Sequence, residues 1–223
     1  MKHRHIITTA DGSHSIFVPE LNEPYHSEYG ALQESRHVFI ENGLRALPLD
    51  DLSEIHILEM GFGTGLNAYL TLLEAGTRSD CEVFYTTLEA YPIDMATVAL
   101  LNYPSLLHAP ADVFEALHRA AWGAMVRITP NFRLLKFNDL LEQLPLPADR
   151  FQLIYYDAFA PAKQPELWTE AIFEKLYKSL QAGGFLATYC AKGSVKRALK
   201  AVGFRVEARP GPRGKREMTL AFK

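Results

Sequence analysis

Apolar positions follow two kinds of pattern along most of the chain. Runs of consecutive or alternating apolar residues predict buried strands at 55–60, 82–89, 132–137, 151–157 and 185–190. Apolar residues at helical spacing predict helices at 28–47, 66–76, 165–180 and 193–203. Strands that alternate with helices pair in parallel, so the pattern predicts an α/β fold with a doubly wound, mostly parallel sheet.

Both ends of the chain carry hairpin patterns. Residues 204–210 and 216–223 are β-rich and flank a turn rich in Pro and Gly, which predicts an antiparallel C-terminal edge on the sheet. Near the start, two β-rich runs flank Asp11-Gly12, a typical hairpin turn. We expect a single domain over residues 1–223, with an N-terminal β-hairpin extension at 1–27 and the core at 28–223.

A glycine-rich turn follows the first predicted core strand. The segment LEMGFGTGLN (58–67) lies where an open α/β sheet binds ligands, beyond the carboxyl ends of its strands. Its G-x-G-x-G spacing differs from the dinucleotide pattern G-x-G-x-x-G. Glycines there allow a tight turn and the close approach of a ligand to the backbone. These glycines are Gly61, Gly63 and Gly65.

Acidic residues accompany this turn. Glu59 precedes it, and Glu89 ends the second predicted strand, where ribose hydroxyls are bound in such folds. Together the strands, the glycine turn and the terminal Glu indicate an S-adenosylmethionine site and a Rossmann-like, class I methyltransferase fold. Asp139 follows the predicted strand at 132–137. It could contact the adenine amino group or cap the helix predicted next, and both alternatives stay open.

Another acidic residue ends a later core strand. Asp157 precedes Phe159 and Pro161 in the segment YYDAFAPAKQPELW (155–168). A carboxylate there could accept a hydrogen bond from an amine and stabilise the positive charge that forms on its nitrogen. Phe159 would present an aromatic face to that cation, and Pro161 would stiffen a loop that contacts the substrate. The alternatives are a cap or turn role for Asp157 and simple packing for Phe159.

Composition narrows the class of protein. With 48% hydrophobic and 22% charged residues, the chain is typical of globular proteins. No apolar run reaches the roughly 18–20 residues of a membrane helix. Cys81 and Cys190 are isolated and fit no metal-ligand spacing. We therefore expect no membrane contact, no metal and a reducing, cytoplasmic setting.

The net charge of −3 is unevenly distributed. Residues 192–223 contain ten Lys or Arg and two acidic residues, a formal +8, against −11 for the rest of the chain. A basic end on an acidic body favours contact with a polyanion, the alternative being a solvated surface. Lys163 could contact a phosphate or pair with a nearby acid. The other candidates for phosphate contacts are Lys192, Lys196, Arg197, Arg213, Lys215 and Arg216.

Three blocks resemble the methyltransferase domain of the MnmC-type tRNA-modifying enzymes. They are GALQESRHVFIENGL (30–44), LEMGFGTGLN (58–67) and YDAFAPAKQPELW (156–168), and the tail at 203–222 is similar to the closing hairpin of that family. The resemblance implies S-adenosylmethionine as the cofactor and tRNA as the partner. It also implies the 5-aminomethyl group of wobble (2-thio)uridine as the methyl acceptor.

The resemblance carries expectations about organisation. Bifunctional members of the family contain a second, FAD-dependent oxidase domain. This sequence stops at Lys223 without a second glycine fingerprint. We therefore expect the stand-alone methyltransferase form, which receives an aminomethyl group made elsewhere, either by a separate oxidase enzyme or by an ammonia-dependent route. Because no apolar surface stripe stands out, we also expect a monomer.

The first block also implies site residues. Gln33 and Ser35 belong to a polar cluster that we expect at the mouth of the cofactor site, and Asn67 joins the cofactor-binding set from the start of the following helix. Tyr29, together with Tyr25 and His26, could stack on a flipped uridine. Surface aromatics near a turn are the alternative reading of those three.

Other functions fit the sequence less well. Small-amine methyltransferases and aminopropyltransferases share the fold, but the glycine turn of aminopropyltransferases typically ends in an acid, where this chain has Thr64-Gly65-Leu66-Asn67. An RNA-binding module that binds the cofactor without catalysis is disfavoured by the Asp157 loop. A nicotinamide oxidoreductase is disfavoured by the glycine spacing.

Overall fold

The strands of the described residues form two β-sheets. This computed structural model describes residues 4–48, 52–77 and 80–223. A small antiparallel sheet consists of β1 (His5–Thr8), β2 (His14–Val18) and β3 (Glu23–Pro24). The large sheet consists of β4 (Glu54–Met60), β5 (Glu82–Leu88), β6 (Met125–Thr129), β7 (Phe132–Phe137), β8 (Phe151–Tyr156), β9 (Leu180–Thr188), β10 (Arg205–Pro210) and β11 (Glu217–Phe222).

Helices connect the strands of the large sheet and cover its faces. The α-helices are α1 (Ala31–Ser35), α2 (Leu66–Ala75), α3 (Met95–Val98), α4 (Tyr103–Leu107), α5 (Ala111–Arg119), α6 (Glu170–Ser179) and α7 (Gly193–Ala201). Shorter helical turns are a π-helix at Arg36–Glu41 and 3-10 helices at Leu44–Ala46 and Pro165–Trp168. Within the described ranges, no helix is long and apolar enough to cross a membrane.

The strand order of the large sheet is β10-β11-β9-β8-β4-β5-β7-β6. The four central pairings, from β9 to β7, are parallel, and the hairpin β10–β11 adds the antiparallel C-terminal edge that the sequence predicts. The opposite edge is also antiparallel, because β6 pairs with β7. The hydrophobic pattern predicted β7 but missed β6. All five residues of β6 are exposed or only partly buried, which explains the weak pattern.

Both faces of the central strands are buried. Ile57 and Tyr155 pack on one side of the sheet, whereas Leu58, Ile154 and Tyr156 pack on the other. Successive side chains of a strand point to opposite faces, so strands buried on both sides become continuous apolar runs. The same alternation fixes which face each functional side chain occupies.

Two helix predictions were wrong in detail. The helix expected over 28–47 is broken into α1, the π-helix and a 3-10 turn. A Cβ on Gly43 would collide with the Phe39 carbonyl, so glycine is required where the chain turns away. The helix expected after Asp139 is a turn, with the amides of Gln143 and Leu144 donating to the Leu140 carbonyl at 3.0 and 3.1 Å.

Candidate active site

The glycine turn between β4 and α2 is constrained by close contacts. Gly61 has φ +88°, and a Cβ there would lie 3.1 Å from the carbonyl oxygen of Asp157. Gly65 has φ +72°, and its Cβ would lie 2.7 Å from Nε2 of His118. A side chain at either position would therefore be both strained and crowded. Gly61 lines the adjoining cleft, whereas Gly65 only shapes the start of α2.

A cleft opens at the carboxyl ends of the central strands. Its lining includes several predicted site residues, namely Gly61, Gly63, Asn67, Glu89, Asp139, Asp157 and Phe159. Of the described residues that line it, none is Lys or Arg, whereas five carry carboxylates: Glu89, Asp139, Glu142, Asp157 and Glu166. Negative charge in a partly enclosed site attracts cations and repels phosphates. The cleft thus fits a cationic ligand.

Glu89 is held in place at the end of β5. One carboxylate oxygen accepts from the Gly63 amide at 2.9 Å, and the other accepts from the Tyr91 amide at 2.8 Å. Asn138 Nδ2 donates to the carbonyl of Glu89 at 2.8 Å. Each carboxylate oxygen has a second lone pair, so Glu89 can also accept hydrogen bonds from ligand hydroxyls.

Asp139 lies at the same end of the cleft. Its carboxylate accepts from the Leu140 amide at 2.7 Å. No helix begins there, so the helix-cap alternative was wrong. Leu140 and Tyr91, which are 41% and 48% exposed, line the cleft nearby and offer apolar surface for a flat ring.

Asp157 follows the end of β8 and lines the cleft. Asn67 Nδ2 donates to its Oδ2 at 2.8 Å. Burial raises the pKa of Asp157 to about 7, and the negative charge of Glu34 adds to this, whereas the Asn67 hydrogen bond and the Lys215 charge oppose it. The residue as a whole is partly exposed and lines the cleft. It can therefore take up or release a proton near neutral pH.

Two side chains hold the loop after Asp157 by donating hydrogen bonds to its backbone carbonyls. Trp168 Nε1 donates to the Phe159 carbonyl at 2.8 Å, and Tyr189 OH donates to the Ala158 carbonyl at 2.8 Å. The Phe159 ring meets Tyr25 edge-on, with centroids 5.2 Å apart. Pro161 is partly buried in this loop and does not line the cleft. The loop thus fixes the position of Asp157.

Glu59 lies below the cleft and does not line it. Its side chain is fully buried, and its carboxylate accepts from Thr87 Oγ1 at 2.8 Å. Burial is the leading reason that the pKa of Glu59 is raised to about 8. Strand alternation places it on the same face as Ile57, under the glycine turn. The prediction that Glu59 contacts the cofactor directly is therefore not supported.

Gln33, Ser35 and Tyr29 also lie outside the cleft lining. Gln33 Oε1 accepts from the Arg213 amide at 3.2 Å, and Ser35 is 1% exposed within the protein. Tyr29 is 52% exposed and packs against Gly214. Gln33 and Tyr29 thus contact the C-terminal hairpin, and Ser35 is buried, whereas the sequence predicted cofactor and substrate contacts for all three.

Tyr25 and His26 line the cleft beside the glycine turn. His26 is buried, with Nδ1 3.0 Å from Ser15 Oγ, and burial lowers its pKa to about 4. The imidazole is therefore uncharged at neutral pH where it lines the cleft. Sequence reasoning missed Gln164 and Glu166, which line the cleft from the loop after Asp157. Their position within the segment 155–168 was the sequence feature that could have identified them.

The predicted phosphate contacts divide into two groups. Lys196 donates to Glu217 at 2.8 Å, Lys163 lies 3.9 Å from Glu23, and Lys215 pairs with Glu34. Acids on neighbouring elements thus neutralise these three. The second group is exposed and has no salt bridge within the described part of the chain: Lys192, Arg197, Arg213 and Arg216.

Comparisons with known proteins add an independent line of argument. Residues 119–223 match a family model described as S-adenosyl-L-methionine-dependent methyltransferase. The crystal structure of MnmC2 from Aquifex aeolicus superposes with a TM-score of 0.83 at 25% identity, covering 99% of this chain and 70% of that one. The tRNA 5-methylaminomethyl-2-thiouridine biosynthesis bifunctional protein MnmC of Ralstonia nicotianae is 36% identical over 222 residues.

In sequence and in fold, the chain is similar to the MnmC-type proteins. A similarly named protein of Ectopseudomonas mendocina is 35% identical over 209 residues. The alignments cover 92% and 87% of this chain but 32% and 31% of those proteins. The chain thus spans about a third of the length of these MnmC relatives, and the shared part contains both the glycine turn and the Asp157 loop.

Proposed function

We propose that this chain is an S-adenosylmethionine-dependent N-methyltransferase that acts on the 5-aminomethyl group of wobble (2-thio)uridine in tRNA. The main observation behind this proposal is the cleft, whose described lining residues include five carboxylates and no Lys or Arg. One of these carboxylates is Asp157, whose pKa is raised to about 7. The names of the relatives, which refer to tRNA 5-methylaminomethyl-2-thiouridine biosynthesis, support the choice of substrate.

The residues present fit S-adenosylmethionine. Its sulfonium and ammonium groups are cationic, which suits the acidic lining, and it carries no phosphate that would be repelled. Glu89 would hold the ribose hydroxyls, and Asp139 with Leu140 would flank the adenine. Gly61 and Gly63 line the cleft without side chains, so the amino-acid portion could approach the backbone there. When bound, this cofactor supplies an electrophilic methyl group for in-line displacement.

Asp157 would manage the proton of the substrate amine. An alkyl amine with a pKa near 10 is mostly protonated at neutral pH, and only its neutral lone pair attacks. Asp157, positioned by Asn67, would accept the N–H and orient that lone pair. Transfer of the methyl group from the bound cofactor to the amine would leave the nitrogen as a secondary ammonium. Its extra proton passes to the Asp157 carboxylate and then to solvent.

The tRNA backbone would lie outside the acidic cleft. Phosphates need basic partners, and the exposed residues of α7 and the C-terminal hairpin turn supply them: Lys192, Arg197, Arg213 and Arg216. We propose that the chain acts as a single domain, with an extension at 1–27 and a core at 28–223. We also propose that it acts as a monomer in the cytoplasm, and that a separate enzyme supplies the aminomethyl group.

A substrate competition assay tests this proposal. The protein is incubated with methyl-labelled S-adenosylmethionine and equal amounts of tRNA carrying 5-aminomethyluridine and of small free amines. We expect label in the tRNA only, and none in matched tRNA whose wobble uridine lacks the aminomethyl group. Label in the free amines instead would favour a small-amine methyltransferase, and cofactor binding without any transfer would favour a binding module.

A further inference from the structure

The turn of the C-terminal hairpin, residues 211–216, is fastened to the N-terminal helical segment. The Arg213 amide donates to Gln33 Oε1 at 3.2 Å, and Gly214 packs against the ring of Tyr29. Just before the turn, the Pro210 carbonyl lies 2.8 Å from His37 Nε2. The two hydrogen bonds join residues that are 173 and 180 positions apart in sequence.

Lys215 points inward from this turn. Its ammonium donates to Glu34 Oε1 and lies 3.9 Å from the centroid of the Tyr189 ring. The side chains of Lys215 and Glu34 are 32% and 8% exposed, so the pair is shielded from solvent. Glu34 Oε2 also accepts from the Ser27 amide at 2.8 Å. An ion pair and a cation–π contact in such a setting are stronger than on an open surface.

Tyr189 connects this pair to the proposed catalytic loop. Its hydroxyl donates to the carbonyl of Ala158, the residue that follows Asp157, at 2.8 Å. The charges of the pair reach the carboxylate as well, because Glu34 raises the pKa of Asp157 and Lys215 lowers it. The other polar groups that face Asp157 or interact with its charge are Asn67 on α2, Glu59 on β4, Tyr85 on β5 and Tyr189.

The neighbours of Lys215 point the other way. Arg213 and Arg216 are exposed, and neither has a salt bridge in the part of the chain that the structure describes. One short turn therefore presents two arginines to solvent and one lysine to Glu34 and Tyr189. The sequence prediction rested on charge alone and therefore assigned all three to phosphate binding.

We propose that Lys215 is a positioning residue that, through Glu34 and Tyr189, couples RNA binding by Arg213 and Arg216 to the placement of the Asp157 loop. The RNA part of this inference rests on the proposed function. The part that concerns Asp157 does not, because it follows from contacts within the protein alone.

Carbon-13 NMR of aspartate-labelled protein tests the contact with Asp157 without any turnover. The Asp157 carboxyl signal is identified by its loss in Asp157→Asn, and its titration midpoint is compared among variants. We expect Lys215→Met to raise the midpoint, Glu34→Gln to lower it, and Lys215→Arg to leave it near that of the unchanged protein, since arginine keeps the charge. An unchanged midpoint in both Lys215→Met and Glu34→Gln would overturn the proposal.

Kinetics with aminomethylated tRNA test the coupling. Lys215→Met should lower kcat and leave KM for tRNA within about twofold. Arg213→Gln with Arg216→Gln should raise KM and keep the fall of kcat below about pH 7 that we expect from protonation of Asp157. If Lys215→Met instead raised KM alone, Lys215 would be a phosphate contact and the proposal would be wrong. Should Lys215→Met fail to fold, the midpoints of Glu34→Gln and Lys215→Arg decide. Failure of the proposed function would show separately, as no methylation by the unchanged protein.

Discussion

Replacing Asp157 by Asn is the substitution that bears most directly on the proposed chemistry. The change keeps the size of the side chain and a hydrogen-bonding group for Asn67 but removes the carboxylate that would accept the amine proton. A general base contributes about 10²–10⁴-fold to a rate. We therefore expect kcat to fall by that factor, which corresponds to about 3–5 kcal/mol of transition-state free energy.

The pH dependence gives the prediction its sign. Burial raises the pKa of Asp157 to about 7, so the carboxylate that accepts the proton is present above that pH and is lost below it. For the unchanged protein, kcat should rise with pH through about 7, and should fall roughly tenfold for each further pH unit below it. In Asp157→Asn this limb should disappear, since the titrating group is gone.

Two measurements check these expectations. Stopped assays across pH 5–9 give kcat, and calorimetry gives the Kd for S-adenosylmethionine, which should change less than about threefold because Asp157 serves the amine. Asp139→Asn is the matched control, because it removes a carboxylate from the other end of the same cleft. It should weaken cofactor binding and keep the acidic limb. A kcat within threefold of the unchanged protein in Asp157→Asn, or loss of cofactor binding, would refute the reasoning.

Three further predictions concern the turn, the buried acid and the basic surface. Gly61→Ala should weaken cofactor binding about 5–30-fold by calorimetry, since the residue has φ +88° and its Cβ would lie 3.1 Å from the Asp157 carbonyl. Glu59→Gln should raise Tm above pH 8 but not at pH 4. Burial raises the pKa of Glu59 to about 8, so this carboxyl destabilises the fold once the pH exceeds its pKa in the unfolded chain. An equal Tm shift above pH 8 and at pH 4 would contradict this. Charge reversal in Arg213→Glu with Arg216→Glu should raise KM for tRNA and flatten its salt dependence, whereas the paired Lys196→Gln should have less effect.

The strand pattern predicted the sheet well because its central strands are buried on both faces. Ile57 and Leu58 pack against opposite cores, so their strand appears in the sequence as an unbroken apolar run. The partly exposed edge strand β6 carries no such run. The site at the carboxyl ends followed from topology, which is why Glu89, Asp139 and Asp157 were predicted to lie together and line one cleft.

The residues that were misplaced depend on side-chain direction and distant partners. Glu59 is adjacent to the turn in sequence, but strand alternation buries it below the cleft. Gln33 meets the Arg213 backbone across 180 positions of sequence, and Lys215 meets Glu34 across 181. A local pattern contains no information about such pairs, so the sequence assigned these residues by charge and neighbourhood alone.

The position of the transferred methyl group tests the central claim most directly. Aminomethylated tRNA is incubated with deuterated-methyl S-adenosylmethionine and the protein, then digested to nucleosides and analysed by mass spectrometry. The account predicts one labelled methyl on the aminomethyl nitrogen of the wobble nucleoside, and at least a hundredfold slower labelling with Asp157→Asn. Label on another nucleoside, or labelling that Asp157→Asn leaves unchanged, would contradict it.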